Sequence, residues 1–215
     1  MALIFPKSTD KYVRIGAAIL AFAAVGGGAL AMFIGYPTVI MTGYQPVQPV
    51  PYSHKLHAGD LGMDCYYCHY TVDKSAHAAV PQTEVCMNCH TRVKANSPRL
   101  EKVRDSFQTG KPVEWVRIHR LPDYVFFNHQ AHVKAGVSCV SCHGRVDQMI
   151  EVKQVEPLNM AMCLDCHRNP APHIRPADQV TNLAWKPDRD PAEIGREIIQ
   201  ARGTNPPEYC SGCHR

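Results

Sequence analysis

The sequence predicts a mostly irregular, weakly helical domain behind a single N-terminal transmembrane helix. Three observations lead there: an uncharged apolar run near the start, ten cysteines in five identically spaced pairs, and too few residues per pair for a conventional core around each.

The apolar run comes first. From Ile15 to Tyr44 there is no charged residue, and its core, IGAAILAFAAVGGGALAMFI, is twenty residues long. At helical rise that matches roughly 30 Å of hydrocarbon. Lys7, Lys11 and Arg14 precede it against Asp10. The positive-inside bias therefore predicts a cytoplasmic segment over 1–14, a membrane helix over 15–36 and everything beyond Tyr36 on the periplasmic side of the inner (cell) membrane. The rival is a cleaved leader, since Ala29-Leu30-Ala31 has the form of a cleavage site; length and flanks favour the anchor. Gly26, Gly27 and Gly28 suit close approach of another membrane helix. Residues 37–51 are proline-punctuated and uncharged. They read as a linker, reaching up to ~50 Å at about 3.1 Å per residue if wholly polyproline-like, or as a strip packed on a partner through Val39, Ile40 and Met41.

The cysteines decide the rest. They form Cys65-Tyr-Tyr-Cys68-His69, Cys86-Met-Asn-Cys89-His90, Cys139-Val-Ser-Cys142-His143, Cys163-Leu-Asp-Cys166-His167 and Cys210-Ser-Gly-Cys213-His214, with none left over. Two thiols at this spacing bond the two vinyl groups of one haem, and the adjacent histidine reaches its iron. Zinc would require the pairs to combine into four-coordinate sets, leaving cysteines or trailing histidines unused. A disulfide framework accounts for the cysteines but not for five histidines at one offset. The expected cofactor is haem c, five copies, with the porphyrins making most of the interior. The formal charge of +4 is then a poor guide to partners, because five haems add about ten propionates. Arg92, Lys94, Arg145, Arg168 and Arg175 read as propionate partners or solvated surface, and nothing signals nucleic-acid binding.

An internal repeat organises residues 52–215. YSHKLHAGDLGMDCYYCH (Tyr52 to His69) and FNHQAHVKAGVSCVSCH (Phe127 to His143) share an aromatic, a His-x-x-His pair, a glycine three before the first cysteine, and the motif, with one residue of difference between them. Each is followed by a second site, with Pro81 and Pro157 upstream. This predicts two di-haem units, 52–90 and 127–167, with a fifth haem on 205–215. Helices are expected from Ser97-Pro98 to Gly110, with Leu100, Val103 and Phe107 on one face, and from Asp190-Pro191 to Gly203, with Glu193 closing a capping box and Ile194, Ile198 and Ala201 inward. VEWVRIHRL reads as a short strand.

Seven histidines lie outside the motifs: His54, His57, His77, His119, His129, His132 and His173. A His-x-x-His pair on a helical turn aims its rings apart, so one serves its own haem and the other a neighbour. His54, His57, His129 and His132 are the expected distal ligands. His119 is taken as the fifth, ahead of His77, His173 and Met160.

With the anchor, the five motifs and WVRIHRLPDYVFFNHQAH assembled, the chain resembles the pentahaem cytochrome subunit of bacterial alternative complex III. Its His-x-x-His units are similar to those of small class III multihaem cytochromes. The resemblance implies a non-catalytic electron-carrier subunit of a quinol:acceptor oxidoreductase. Its partners would be integral-membrane and iron–sulfur subunits and a monohaem cytochrome or other acceptor. The alternative is a stand-alone membrane-anchored donor to a periplasmic reductase or a photosynthetic reaction centre. A multihaem enzyme would need an open iron, and here candidate ligands outnumber haems.

Overall fold

The computed structural model describes residues 6, 8–36 and 41–215, and the chain divides into two compact units between Met41 and Thr42. The first is a helix, Ser8–Gly35, of 28 residues, long and apolar enough to cross a membrane. It begins seven residues before the expected start at Ile15. Its first turns carry an i,i+4 ion pair between Arg14 and Asp10 at 2.9 Å, a spacing that extends the helix through the charged flank.

The second unit holds its chain in short helices and turns. Its only strand-type pairings among the described residues are two isolated bridges, Val125 with His214 and Val137 with Ile174. The unit begins within the expected linker. Gly43 N–H donates to Gln154 O at 2.7 Å and Gln154 N–H to Tyr44 O at 3.0 Å, while Val50 is buried in a cluster with Met87 and Val103. Residues 42–51 are thus a packed strap and not a spacer, and Val39 and Ile40 lie outside the described residues. VEWVRIHRL forms no strand. Val116 does pair in strand fashion, but with a side chain: Gln48 Oε1 accepts from Val116 N at 3.0 Å and Gln48 Nε2 donates to Val116 O at 2.9 Å. One amide satisfies both backbone groups and leaves no ladder to extend.

The helix expected after Ser97 is a 3-10 turn, Pro98–Leu100, running into Glu101–Thr109 and ending at Gly110. Val103 and Ser106 are its buried residues, whereas Phe107 is 44% exposed. The contact line runs through i, i+3 because the helix lies on Thr83–His90, where Ser106 Oγ meets Thr83 Oγ1 at 3.3 Å.

The last long helix, Pro191–Arg202, is capped by Asp190, whose carboxylate accepts from Ala192 N at 3.1 Å. No bond from Glu193 back to Asp190 N closes a box among the described residues. Ile194 is buried and Ile198 half-buried, but Ala201 is exposed. The inward face instead includes Gly195, on which the turn Ala171–His173 rests so closely that a Cβ there would stand 1.9 Å from Ala171 O. Only eight apolar residues are buried among those described. The polypeptide's own core is small, and most of the cysteine side chains are only half-buried.

Candidate functional site

Each motif sits on a helical turn. In Cys65–Cys68, Val140–His143 and Cys210–Cys213 the turn stands alone; in Thr83–His90 and Met160–Arg168 it closes a longer helix. One turn puts residues i, i+3 and i+4 on one face, so two thiols and an imidazole gather on the same side. The histidine's backbone N–H returns to the first cysteine's carbonyl at 2.9 Å in His69 and His143 and at 2.8 Å in His214. Asp64 caps the first turn, accepting from Tyr66 N at 2.8 Å, and takes Thr181 Oγ1 at 2.8 Å on its other oxygen. None of the ten cysteines is in a disulfide, and no three His, Cys, Asp or Glu side chains converge as an ion-binding cluster among the described residues.

The two His-x-x-His segments repeat in three dimensions. Tyr52 meets His54 edge-on at 4.8 Å and stacks on His57 at 4.5 Å; Phe127 meets His129 edge-on at 4.7 Å and stacks on His132 at 4.6 Å. His57 Nδ1 donates to Ser53 O at 2.9 Å and His132 Nδ1 to Asn128 O at 2.7 Å. After each pair a glycine turns the chain at positive φ, +66° at Gly62 and +96° at Gly136. The next N–H then closes onto the second histidine's carbonyl, Met63 to His57 at 3.0 Å and Val137 to His132 at 2.9 Å. The extra residue of the first copy is absorbed by helix type. His129–Ala135 is α-helical, whereas Lys55–Asp60 is a π turn, whose wider ring takes one more residue per bond.

The copies also brace one another. His129 N–H and Gln130 N–H donate to Ala76 O and Ser75 O, from the loop after the first motif. Reciprocally, Lys55 N–H donates to Met149 O, and Gly59 packs on Asp147 so tightly that a Cβ would stand 2.2 Å from its carbonyl. Between them the Cys65 and Cys139 thiols lie close enough to perturb each other's ionisation.

The imidazoles are presented as ligands. His69 Nδ1 donates to Ala79 O at 2.9 Å, His90 Nδ1 to Val93 O at 2.8 Å, His167 Nδ1 to Pro207 O at 2.6 Å and His129 Nδ1 to Ala76 O at 2.9 Å. A carbonyl only accepts, so Nδ1 carries the proton and Nε2 keeps a bare lone pair, the state a metal takes. Burial favours the neutral form of His54, His129, His132 and His143. Desolvation, then the neighbouring His69, pulls His54 down to about 4, and desolvation, then His119, pulls His143 down to about 3. His132 is lowered mainly by burial, against the opposing Asn128 bond. His54 Nδ1 is buried without a partner.

Three ring pairs stand at one separation: His57–His90 at 6.2 Å, His132–His167 at 6.1 Å and His129–His143 at 6.5 Å between centroids. Two metal–imidazole bonds of about 2 Å each, plus the half-width of each ring, put axial rings roughly 6 Å apart. These residues therefore fit haem iron, which supplies reversible one-electron chemistry when bound. His119 does not share this spacing. Its ring lies 4.4 Å from His143, with His119 Nε2 3.3 Å from His143 Nδ1. His77 lies near His129. Met160 is 60% exposed, and the ring beside His214 is that of Tyr124 at 5.8 Å. Sequence reasoning missed the carbonyl acceptors, because a backbone oxygen leaves no mark in residue type.

A chain with no sheet among its described residues, whose cysteine pairs and imidazoles are so arranged, is a multihaem c-type cytochrome, an electron carrier. The family model described as cytochrome c7 and related cytochrome c matches residues 50–108 and 125–215, and the chain belongs to that family. A curated relative is the multihaem cytochrome c subunit of menaquinone reductase from Nitratidesulfovibrio vulgaris strain Hildenborough. It is 35% identical over 127 residues, which cover 54% of this chain and 60% of the relative's length.

Proposed function

We propose that this chain carries five haems c and serves as the electron-transfer subunit of a quinone-linked membrane oxidoreductase of the alternative complex III type. It works beside integral-membrane and iron–sulfur subunits, with a cytochrome c or other carrier at the far end. The observation that carries the reading is the repeated pair of His-x-x-His segments, with the second histidine of each, His57 and His132, set about 6 Å from the histidine of the second motif of its unit, His90 and His167.

In this reading Cys65 and Cys68, Cys86 and Cys89, Cys139 and Cys142, Cys163 and Cys166, and Cys210 and Cys213 attach the haems. His69, His90, His143, His167 and His214 are proximal ligands. His54 and His129 complete the first site of their own units; His57 and His132 reach across to the second. The units are 52–90 and 127–167, with the fifth site at 205–215. The Ser8–Gly35 helix anchors the chain with its N-terminus cytoplasmic and the haem domain periplasmic. The relative's name supports the quinone link and also raises the opposite direction, electrons running toward menaquinone; the experiment below reads both.

The test is gentle solubilisation of native membranes, purification by a tag on this chain, mass measurement of its haem peptides, and addition of a quinol. Five modified peptides, co-purifying polytopic and iron–sulfur subunits and prompt haem reduction are expected. A lone cytochrome unresponsive to quinol, and unable to reduce a quinone when itself reduced, overturns the complex and favours a stand-alone donor.

A further inference from the structure

Four of the five motif histidines bring Nδ1 within hydrogen-bond distance of a named partner, and three of those partners are backbone carbonyls, to which the ring donates: Ala79, Val93 and Pro207. His143 differs, because its partner is the imidazole of His119, Nε2 to Nδ1 at 3.3 Å with the rings edge to face. A centroid separation of 4.4 Å leaves no room for an iron between two imidazoles, which needs roughly 6 Å. His143 already has a ring at the ligand separation, His129 at 6.5 Å. His119 is held in place from its own backbone, where Arg117 Nε donates to His119 O at 3.0 Å.

The geometry points to His119 as a positioning residue, its Nε2 accepting the Nδ1–H of His143, and not as an axial ligand. This rests on the reading of His143 as a haem ligand. An imidazole nitrogen is a stronger base than a peptide carbonyl. It draws the proton further from His143, makes that ring a more electron-rich ligand and favours the ferric state. The site at Cys139–His143 is therefore held at a lower potential than a carbonyl partner would give it.

The test uses the full-length chain matured with its haems, as His119→Ala and His119→Gln, followed by electron paramagnetic resonance and redox titration. The expected result is that both variants keep every haem of the wild type in the low-spin state. His119→Ala shifts one component to higher potential and leaves the others in place. His119→Gln moves that component back toward wild type, since its amide oxygen accepts the same proton without binding iron as histidine does. A new high-spin ferric signal with the haem still attached makes His119 an axial ligand and overturns the inference alone, as does an unmoved potential in His119→Ala. If a wild-type peptide spanning residues 139–143 carries no haem, the underlying reading falls as well. Should His119→Ala fail to accumulate, His119→Gln decides: low spin throughout with one component at a modestly higher potential than wild type supports the role, and either unchanged potentials or a high-spin component overturns it.

Discussion

Gly195→Ala isolates one contact that holds the C-terminal part of the haem domain together. In a helix interior, alanine is favoured over glycine by about 1 kcal/mol, so helix propensity alone predicts a more stable protein. The structure predicts the reverse. The new methyl would stand 1.9 Å from Ala171 O and 2.7 Å from Ala171 C, while a carbon–oxygen contact settles at about 3.3 Å or more. The helix Pro191–Arg202 must therefore withdraw from the turn Ala171–His173 by roughly 1.4 Å. The obstacle is backbone on both sides, so no rotamer change relieves it. Overpacking of this kind costs about 1–3 kcal/mol and occasionally more, and Ile194, 8% exposed, loses contact as the helix lifts. A net loss of about 2 kcal/mol after the propensity gain lowers the melting midpoint by roughly 4–8 °C for a unit of this size. The assay is thermal unfolding of the haem-loaded protein by far-ultraviolet circular dichroism. A midpoint equal to or above wild type would show that the close approach is not rigid, and would sink the reasoning.

His129→Ala and His132→Ala should each convert a different haem to high spin, read as two distinct losses in the low-spin resonance spectrum; identical spectra refute the cross-ligation. Asp64→Ala removes both the cap on Tyr66 N and the acceptor for Thr181. It should cost about 1–2 kcal/mol, measured as a lower unfolding midpoint, and no change there would show the turn to be held by its neighbours alone. For pH, His54 and His143 have folded-state values depressed to about 4 and about 3. Their contribution is therefore present above the ordinary histidine value near 6.5 and is lost as pH falls from there toward 3. The low-spin spectrum should hold from pH 8 to about 6 and give way in acid, and loss on raising the pH instead would reverse the sign.

What the sequence made legible was what is local. The five motifs could be read because cysteine and histidine at i, i+3 and i+4 share a helical face whatever surrounds them. The pairs His54/His57 and His129/His132 could be read because the repeat supplied a second copy. The residue that lengthens the first copy gave no hint of a π turn, since only the closing bonds onto His57 and His132 show that both copies end alike. Gly195 was invisible because its role depends on Ala171, far along the chain. The strand expected in VEWVRIHRL needed a backbone partner and met the Gln48 side chain. His119 could be named only as a candidate ligand, because composition registers an imidazole but not which nitrogen faces which neighbour, here His143 Nδ1 at 3.3 Å.

The backbone links between the two His-x-x-His copies bear on how the domain comes apart. His129 N–H and Gln130 N–H reach Ala76 O and Ser75 O in the loop after the first motif, and Lys55 N–H reaches Met149 O after the third. Neither copy is braced by its own segment alone. Loosening either loop therefore disturbs the histidines of both copies, and local opening spreads across them as one unit.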